Sequence, residues 1–435
     1  MKRVKVWKIK VEDWLRYNPR VRRALSSWYA HKGRKLSSGD PQQIARAIDL
    51  LCKAARLADS RECLLQIEQT IKDRIQTLAG RKFNWLEFEK TSNERRIFKA
   101  VVLKPRVSDR ERGVVYIPFE YQWLRLLQIS SLEEFARHYA LVVIPAWSPP
   151  HCLVNYLFPA AYPDQLFCTI SSQNDLEVFP RISSKNMMVP LLASNWVNPV
   201  LLKPCSFSEK DIDIIMVANW GKYKRHHVFF EALRNLPANL RVMLIGQRDG
   251  DRTAEILNAE AEAFQVAGRY ELRQGLSHRE VCELLPRAKI SLILSKREGS
   301  CVVVTESIFA NTPVGLFEDA EVGSRSFINA HTGRFLKHND LAQQLLDFLL
   351  EAERYQPRQW ALDNRIDCHG STATLNEVLK SQALKNGEDW TQDIAPIYWG
   401  PDPLHLNPDD RDRFQPTYND IKQRFGIDVG PETRK

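Results

Sequence analysis

Long apolar runs are missing from this chain of 435 residues: none approaches the ~18 to 20 consecutive apolar residues needed to span a bilayer. The N-terminus, Met1-Lys-Arg-Val-Lys-Val-Trp-Lys, also lacks the apolar centre of a secretory signal. These two absences predict a cytoplasmic protein, at most peripheral on the inner face of a membrane. The eight cysteines include no Cys-x-x-Cys, and no His/Cys/Asp cluster has metal-ligand spacing. Several lie in apolar contexts and read as small buried hydrophobes of a reducing compartment. A dinucleotide fingerprint is absent too, since Gly246-Gln-Arg-Asp-Gly250 reads as a strand-to-helix loop. No nucleic-acid-binding module is recognisable, so no nucleic-acid partner is expected despite a net charge of +9.

With 44% hydrophobic and 26% charged residues, the chain has material for two or three domains, each with a core. Its positive charge is concentrated. Residues 1–35 hold Lys2, Arg3, Lys5, Lys8, Lys10, Arg16, Arg20, Arg22, Arg23, Lys32, Arg34 and Lys35 against only Glu12 and Asp13, and the remainder is close to neutral. Trp7, Trp14, Tyr17, Trp28 and Tyr29 interleave with these cations. Such an arm is either a solvated basic face or a surface for an anionic membrane or a phosphate-bearing acceptor. After it, Asp40-Pro41 is a cap followed by a first-turn proline. The stripes Ile44/Ile48/Leu51/Ala55 and Leu64/Ile67/Ile71/Ile75/Leu78, ending at Gly80, predict an antiparallel helical hairpin.

From residue 211 to about 350, strands and helices alternate. Ile212–Ala218, Arg241–Ile245, Tyr270-Glu-Leu, Ile290–Leu294 and Pro313–Phe317 read as strands. His226–Leu233 reads as a helix, and Ser277-His-Arg-Glu280 as a capping box opening a helix that runs to Leu285. This alternation predicts a parallel, doubly wound sheet that binds ligands beyond its strand C-termini. There the pair Glu298 and Glu306 stands out, in Ser295-Lys-Arg-Glu-Gly-Ser-Cys-Val-Val-Val-Thr-Glu306. A carboxylate in the loop after a strand, and a second about two turns into the next helix, can grip sugar hydroxyls at the sheet's mouth. Between them Gly299-Ser300-Cys301-Val302 offers the free N–H groups of a helix N-terminus to a phosphate. Asp211-Ile-Asp213 reads as an exposed strand entry, not a metal motif.

The Glu-x7-Glu spacing resembles the retaining glycosyltransferases of family 4. Ala310-Asn-Thr-Pro313-Val and Asn329-Ala-His-Thr-Gly333 match their downstream segments in order. The resemblance implies the GT-B fold: two Rossmann-like α/β domains facing across a cleft, here with an N-terminal helical extension. Expected boundaries are 1–96 for the extension, 97–205 for an acceptor-side domain, 206–385 for the nucleotide-sugar domain, and 386–435 for a segment crossing back. The family places an Arg two residues and a Lys seven residues after the strand valine; counted from Val217, these are Asn219 and Lys224. With the Arg missing, the resemblance leaves Lys222 or Arg225 to substitute, or the donor to bind more weakly. Leu276 falls where the family packs the nucleotide base.

Residues 97–205 suggest strands at Ala100–Leu103, Gly113–Ile117, Ala140–Ile144, Leu166–Ile170 and Met187–Leu192, and Ser131 caps a helix before the third. The family's glycine-rich loop and strand-end histidine are missing. Pro145-Ala-Trp147-Ser-Pro-Pro-His151 stands near that histidine's place, so His151 is either an acceptor-side contact or a loop histidine with no catalytic task. The resemblance implies transfer of a hexose-like sugar from a nucleotide-diphosphate donor to a glycan or lipid-linked acceptor, with retention, in polysaccharide biosynthesis. It implies no metal or other cofactor. Glu298 and Lys224 would act at the reacting sugar and leaving diphosphate; Glu306, Gly299, Ser300, Cys301, Val302, Asn219, Lys222, Arg225 and Leu276 would line the donor site. The alternatives are a degenerate GT-B protein that binds without transfer, and a membrane-surface scaffold that uses the basic arm.

Overall fold

The computed structural model describes residues 2–36, 39–78, 80–88, 96–98, 100–129, 131–144, 150–400 and 402–430. The loop stretch 145–149 singled out in the sequence lies outside them. The chain divides into two compact units.

The first unit comprises Met1–Leu15, Ser194–Ser371 and Trp399–Pro401. The second comprises Arg16–Ala193, Thr372–Tyr398 and Asp402–Lys435. The described part of the basic arm is two helices, α1 over Lys2–Tyr17 and α2 over Pro19–Lys35, with Asn18 between them capping α2 by accepting from the Arg20 and Val21 amides. The hairpin follows as α3 (Pro41–Leu57) and α4 (Arg61–Leu78). Asp40 accepts from the Gln42 and Gln43 amides, and Ile48, Leu51, Ile67 and Ile71 are fully buried. Those apolar stripes are what hold the hairpin, each buried Leu or Ile contributing about 1.5–3 kcal/mol.

The hairpin belongs to the second unit, whose sheet has the order β1-β2-β3-β4-β5, with β1 Val101–Lys104, β2 Gly113–Pro118, β3 Tyr139–Ile144, β4 Leu166–Ile170 and β5 Asn186–Leu192. The pair β1/β2 is antiparallel and the rest parallel. All six residues of β2 and of β3 are buried, as strands covered on both faces require. The described C-terminal residues 372–398 and 402–430 pack within this unit. The Ala395 amide donates to Leu103, the Tyr418 hydroxyl accepts from the Val102 amide, and Asp428–Gly430 runs parallel to Arg96–Phe98. The unit boundary at Ser371/Thr372 therefore falls earlier than the expected 385. The helix Cys368–Lys385 carries Leu375, Leu379 and Ala383 buried, and the last two line one cleft with Val114, Ala140 and Phe167.

In the first unit the sheet is wholly parallel. Its strands are β6 Ile212–Val217, β7 Val242–Gly246, β8 Glu271–Gln274, β9 Ala288–Ile293, β10 Val314–Phe317 and β11 Gly333–Leu336. Their spatial order is β11-β10-β9-β6-β7-β8. The chain builds outward from β6 through β8, then returns to β9 and builds the other way, so the order reverses between β6 and β9. That reversal opens a crevice beyond the two strands' C-termini, where doubly wound folds bind ligands. Every strand expected from the sequence is present within about two residues. β11 completes the sheet, in the Gly333-Arg-Phe-Leu segment that the sequence did not mark as a strand. Gly333 is required there, because its φ of 159° is accompanied by Val314 O only 2.0 Å from where a Cβ would stand.

Candidate functional site

Two loops meet at the reversal, one after β6 and one after β9. The first runs through Lys222–Lys224 to the helix His226–Leu233. The second runs from Ser295 to the helix Val302–Phe309. Lys224 Nζ donates to Glu298 Oε2 at 2.6 Å, and both side chains are largely buried. Although burial opposes it, the Glu298 charge holds the Lys224 ammonium above the usual lysine range. Glu298 Oε1 is buried and accepts from no N–H or O–H group, and the Cys301 thiol, a weak donor, lies against the carboxylate. A buried carboxylate oxygen left unsatisfied costs on the order of 1–3 kcal/mol or more, so a donor group arriving from a ligand is favoured there.

Cys301 sits at the N-cap of the Val302 helix with φ 54°, in the left-handed region that favours glycine. Gly299 and Ser300 carbonyls accept from the Gly323 and Ser324 amides, and Ser324 Oγ donates to the Cys301 carbonyl. These bonds fix the loop by its carbonyls. Among the described residues, the N–H groups of Gly299, Ser300 and Cys301 donate to nothing. They stand with the Val302 N–H at the positive end of the helix dipole. The Ser300 hydroxyl is not available as well, because it accepts from the Ser194 amide and donates to the Ser194 hydroxyl, both at 2.8 Å. Burial pushes the Cys301 thiol up, and the Glu298 charge adds to it, which keeps the sulfur protonated.

Glu306 lies one turn and a half into the helix, 5% exposed. Its Oε1 accepts from His278 Nε2 at 2.7 Å, and the Cys282 sulfur is 3.6 Å from the same nitrogen. Contact with Cys282 and with the Glu306 carboxylate pushes the His278 imidazole up to about 10, so it is a cation at neutral pH. The Ser277–Glu280 capping box anchors His278 at the first turn of its helix. His278 was missed in the sequence. Its only signal was adjacency to that capping box, and nothing local pairs it with a residue 28 positions on. Leu276, half-buried, follows Gly275, whose φ of 70° makes the turn after β8.

The remaining cations of the first loop are already engaged. Lys222 Nζ donates to Glu12 Oε2 at 2.6 Å, and Arg225 to Asp13, the closest approach being Nη2 to Oδ2 at 3.1 Å. His227 Nε2 is 3.7 Å from the same Asp13 oxygen. Burial opposes ionisation of Asp13, but His227 and Arg225 hold its carboxyl below the usual range. Arg225 takes φ 58° and lies 5.5 Å over the Phe317 ring. Asn219 donates to the Tyr223 hydroxyl at 2.8 Å and accepts from the Gly221 amide at 3.2 Å, which shapes the loop. So Asn219, Lys222 and Arg225 lie in or beside the loop, but each is tied to protein partners. His226 is fully buried with both ring nitrogens unpartnered and is driven down to about 3 by burial, then by the nearby Arg252 and Lys224 charges.

His151 is placed elsewhere, in the second unit. It is buried, and its Nε2 lies 2.8 Å from Glu68 Oε1, while Arg181 reaches both Glu68 oxygens at 3.0 Å. That arrangement favours the structural reading of His151. Among the described residues, no group of three His, Cys, Asp or Glu could hold a metal ion, and no helix is long and apolar enough to cross a membrane.

Residues 201–362 match the family described as glycosyl transferases group 1. The matched stretch contains both loops and both glutamates. No curated protein matches the chain in sequence. Among solved structures, Anabaena Alr3699/HepE in complex with UDP is similar at a TM-score of 0.50 and 14% identity, over 61% of this chain and 78% of that one. The pneumococcal O-GlcNAc transferase GtfA, in complex with UDP and GlcNAc, gives 0.44 and 18% over 59% of this chain. The match spans 54% of the pneumococcal protein's own length. Sucrose-phosphate synthase from Thermosynechococcus elongatus gives 0.49 and 14%, over 63% and 74%. Two Rossmann-like units, one with a wholly parallel sheet and one with a sheet parallel except at its first strand, and an N-terminal helical region make the fold class GT-B.

Proposed function

We propose that this chain transfers a sugar from a nucleotide-diphosphate donor, with retention at the anomeric carbon and without a metal. The observation that carries the reading is the switch-point arrangement: an ammonium bound to a carboxylate whose second oxygen is buried and unsatisfied, beside a helix N-terminus with free amides. A second carboxylate, Glu306, lies further along that helix. Glu306 would accept from the ribose hydroxyls and Glu298 from hydroxyls of the donor sugar. Lys224 and the amides of Gly299 to Val302 would meet the leaving diphosphate, supplying the charge stabilisation a metal gives in other transferases. Leu276 would pack against the base. UDP in HepE and in GtfA supports a nucleotide donor, and the acceptor reading is a glycan or a lipid-linked sugar.

A second reading, binding without transfer, is favoured by Asn219. It stands where the family carries a phosphate-binding Arg, and its side chain is spent on Tyr223 and Gly221. One experiment separates the two: calorimetry of UDP, GDP, ADP and their sugar conjugates without metal, followed by product analysis with the donor that binds. Micromolar binding with transfer or donor hydrolysis supports the transferase. Tight binding with neither supports the binder, and no binding by the wild type overturns both.

A further inference from the structure

Helix α1 is attached to the first unit by its charges. Lys5 Nζ donates to the Ala259 carbonyl at 2.9 Å, Lys10 pairs with Glu231 at 2.5 Å, and Glu12 and Asp13 engage Lys222 and Arg225. Val6 and Ile9 are half-buried on that side. The opposite side is apolar and open to water. Val4 is 68% exposed, Trp7 66%, Trp14 58% and Leu15 43%, with Val11 half-buried among them. At 100° per residue these five positions fall within an arc of about 100°, flanked by Arg3 and Lys10 on one edge and Lys8 on the other.

A helix of a water-soluble protein turns its apolar stripe inward. Here two tryptophans are held outward by ionic contacts made on the other face, and an exposed apolar stripe rimmed by charge marks an interaction surface. We infer that α1 seats on an anionic lipid surface through Val4, Trp7, Val11, Trp14 and Leu15, with Arg3 and Lys8 at the headgroups. Indole rings favour the depth where acyl chain meets headgroup, and each cation near an anionic surface adds about 1 kcal/mol. A second copy of the chain fits less well, because pairing the stripe with itself would bring Arg3 and Lys8 against like charges. The inference stands on α1 alone; only its consequence, that seating brings the donor loop to a membrane-borne acceptor, rests on the transferase reading.

The test is co-sedimentation of the full chain with vesicles of phosphatidylcholine alone and of phosphatidylcholine mixed with phosphatidylglycerol. Expected is pelleting with the anionic vesicles only, weakened by salt. Trp7→Ser/Trp14→Ser should lower the partition coefficient at least tenfold, as should Arg3→Glu/Lys8→Glu, which changes no apolar group. Nucleotide calorimetry run in parallel should be unchanged in both, so failure of the lipid inference and failure of the donor reading remain distinct. The inference is overturned if the wild type stays in the supernatant with anionic vesicles, or if either variant pellets like the wild type. It is also overturned if the wild type is a dimer that Trp7→Ser/Trp14→Ser dissociates while vesicles bind nothing, which would make a second copy the occupant.

Discussion

Two carboxylates, one in each unit, show how differently the same chemistry is used. Glu68 of α4 has both oxygens occupied, Oε1 by His151 and Arg181 and Oε2 by Arg181. Glu298 has one oxygen on Lys224 and the other buried with no N–H or O–H donor, only the weakly donating Cys301 thiol lying beside the carboxylate. A saturated carboxylate ties elements together: α4, residue 151 and the helix Asp175–Ile182 are fixed by one group. An unsaturated one carries a desolvation cost that a ligand hydroxyl can relieve. Glu111, with Lys104 at 2.9 Å and the Thr391 amide and hydroxyl at 2.8 and 2.7 Å, is of the saturated kind. The vacancy, more than the burial, distinguishes a site from a strut.

The largest effect that would sharpen this contrast is on turnover. Glu298→Gln, which keeps an oxygen acceptor for Lys224, should lower the transfer rate by about 10²–10³-fold, the scale of losing one preorganised transition-state contact, at a smaller stability cost than removal of the strut carboxylate. A steady-state rate with the donor found by calorimetry checks it, and a rate within a few-fold of wild type would remove Glu298 from the chemistry. At the strut the pattern should invert. Glu68→Ala leaves Arg181 and the buried His151 without their carboxylate and should cost about 3 kcal/mol in denaturant unfolding, with nucleotide affinity intact below the transition.

The strut also sets a pH dependence. His151 and Arg181 outweigh the burial that opposes ionisation and hold Glu68 at about 2, below its ordinary 4.5. A depressed folded-state value means the stabilisation is full above about 4.5 and drains away as pH falls toward 2. Acid unfolding of Glu68→Gln should therefore be shallower than that of wild type over this window. At the site the sign is opposite. The raised value of His278 gives stability below its ordinary 6.5 that is lost as pH rises through about 10, and His278→Asn should flatten that alkaline loss.

Smaller effects follow. Glu306→Gln should weaken nucleotide binding about tenfold (~1.4 kcal/mol), read by calorimetry. Smallest of all is Glu12→Gln, which frees Lys222 from a half-exposed pair. It should change stability by about 0.5 kcal/mol or less. A gain in nucleotide affinity in that variant would show that Lys222 belongs to the donor site after all.

Much of the first unit was legible because its signals are local. Strand runs, the Ser277–Glu280 capping box, the Asp40 cap and the spacing of Glu298 and Glu306 are each set within about ten residues, the range over which backbone periodicity and capping operate. The parallel sheet and its switch point followed from the order of those elements. What the sequence could not assign was the partner of each charge. Lys222 and Arg225 looked free to replace the missing Arg at Asn219, yet they are bound by Glu12 and Asp13, more than 200 positions away. His151 was read as either an acceptor-side contact or a loop histidine with no catalytic task, and its carboxylate comes from position 68. The arm's basic composition was plain, but only the folded helix separates an inner ionic face from an outer row of tryptophans. Local chemistry fixes elements and motif spacing. Ion pairs and vacancies depend on which distant side chain arrives within about 3 Å, and the tertiary structure alone decides that.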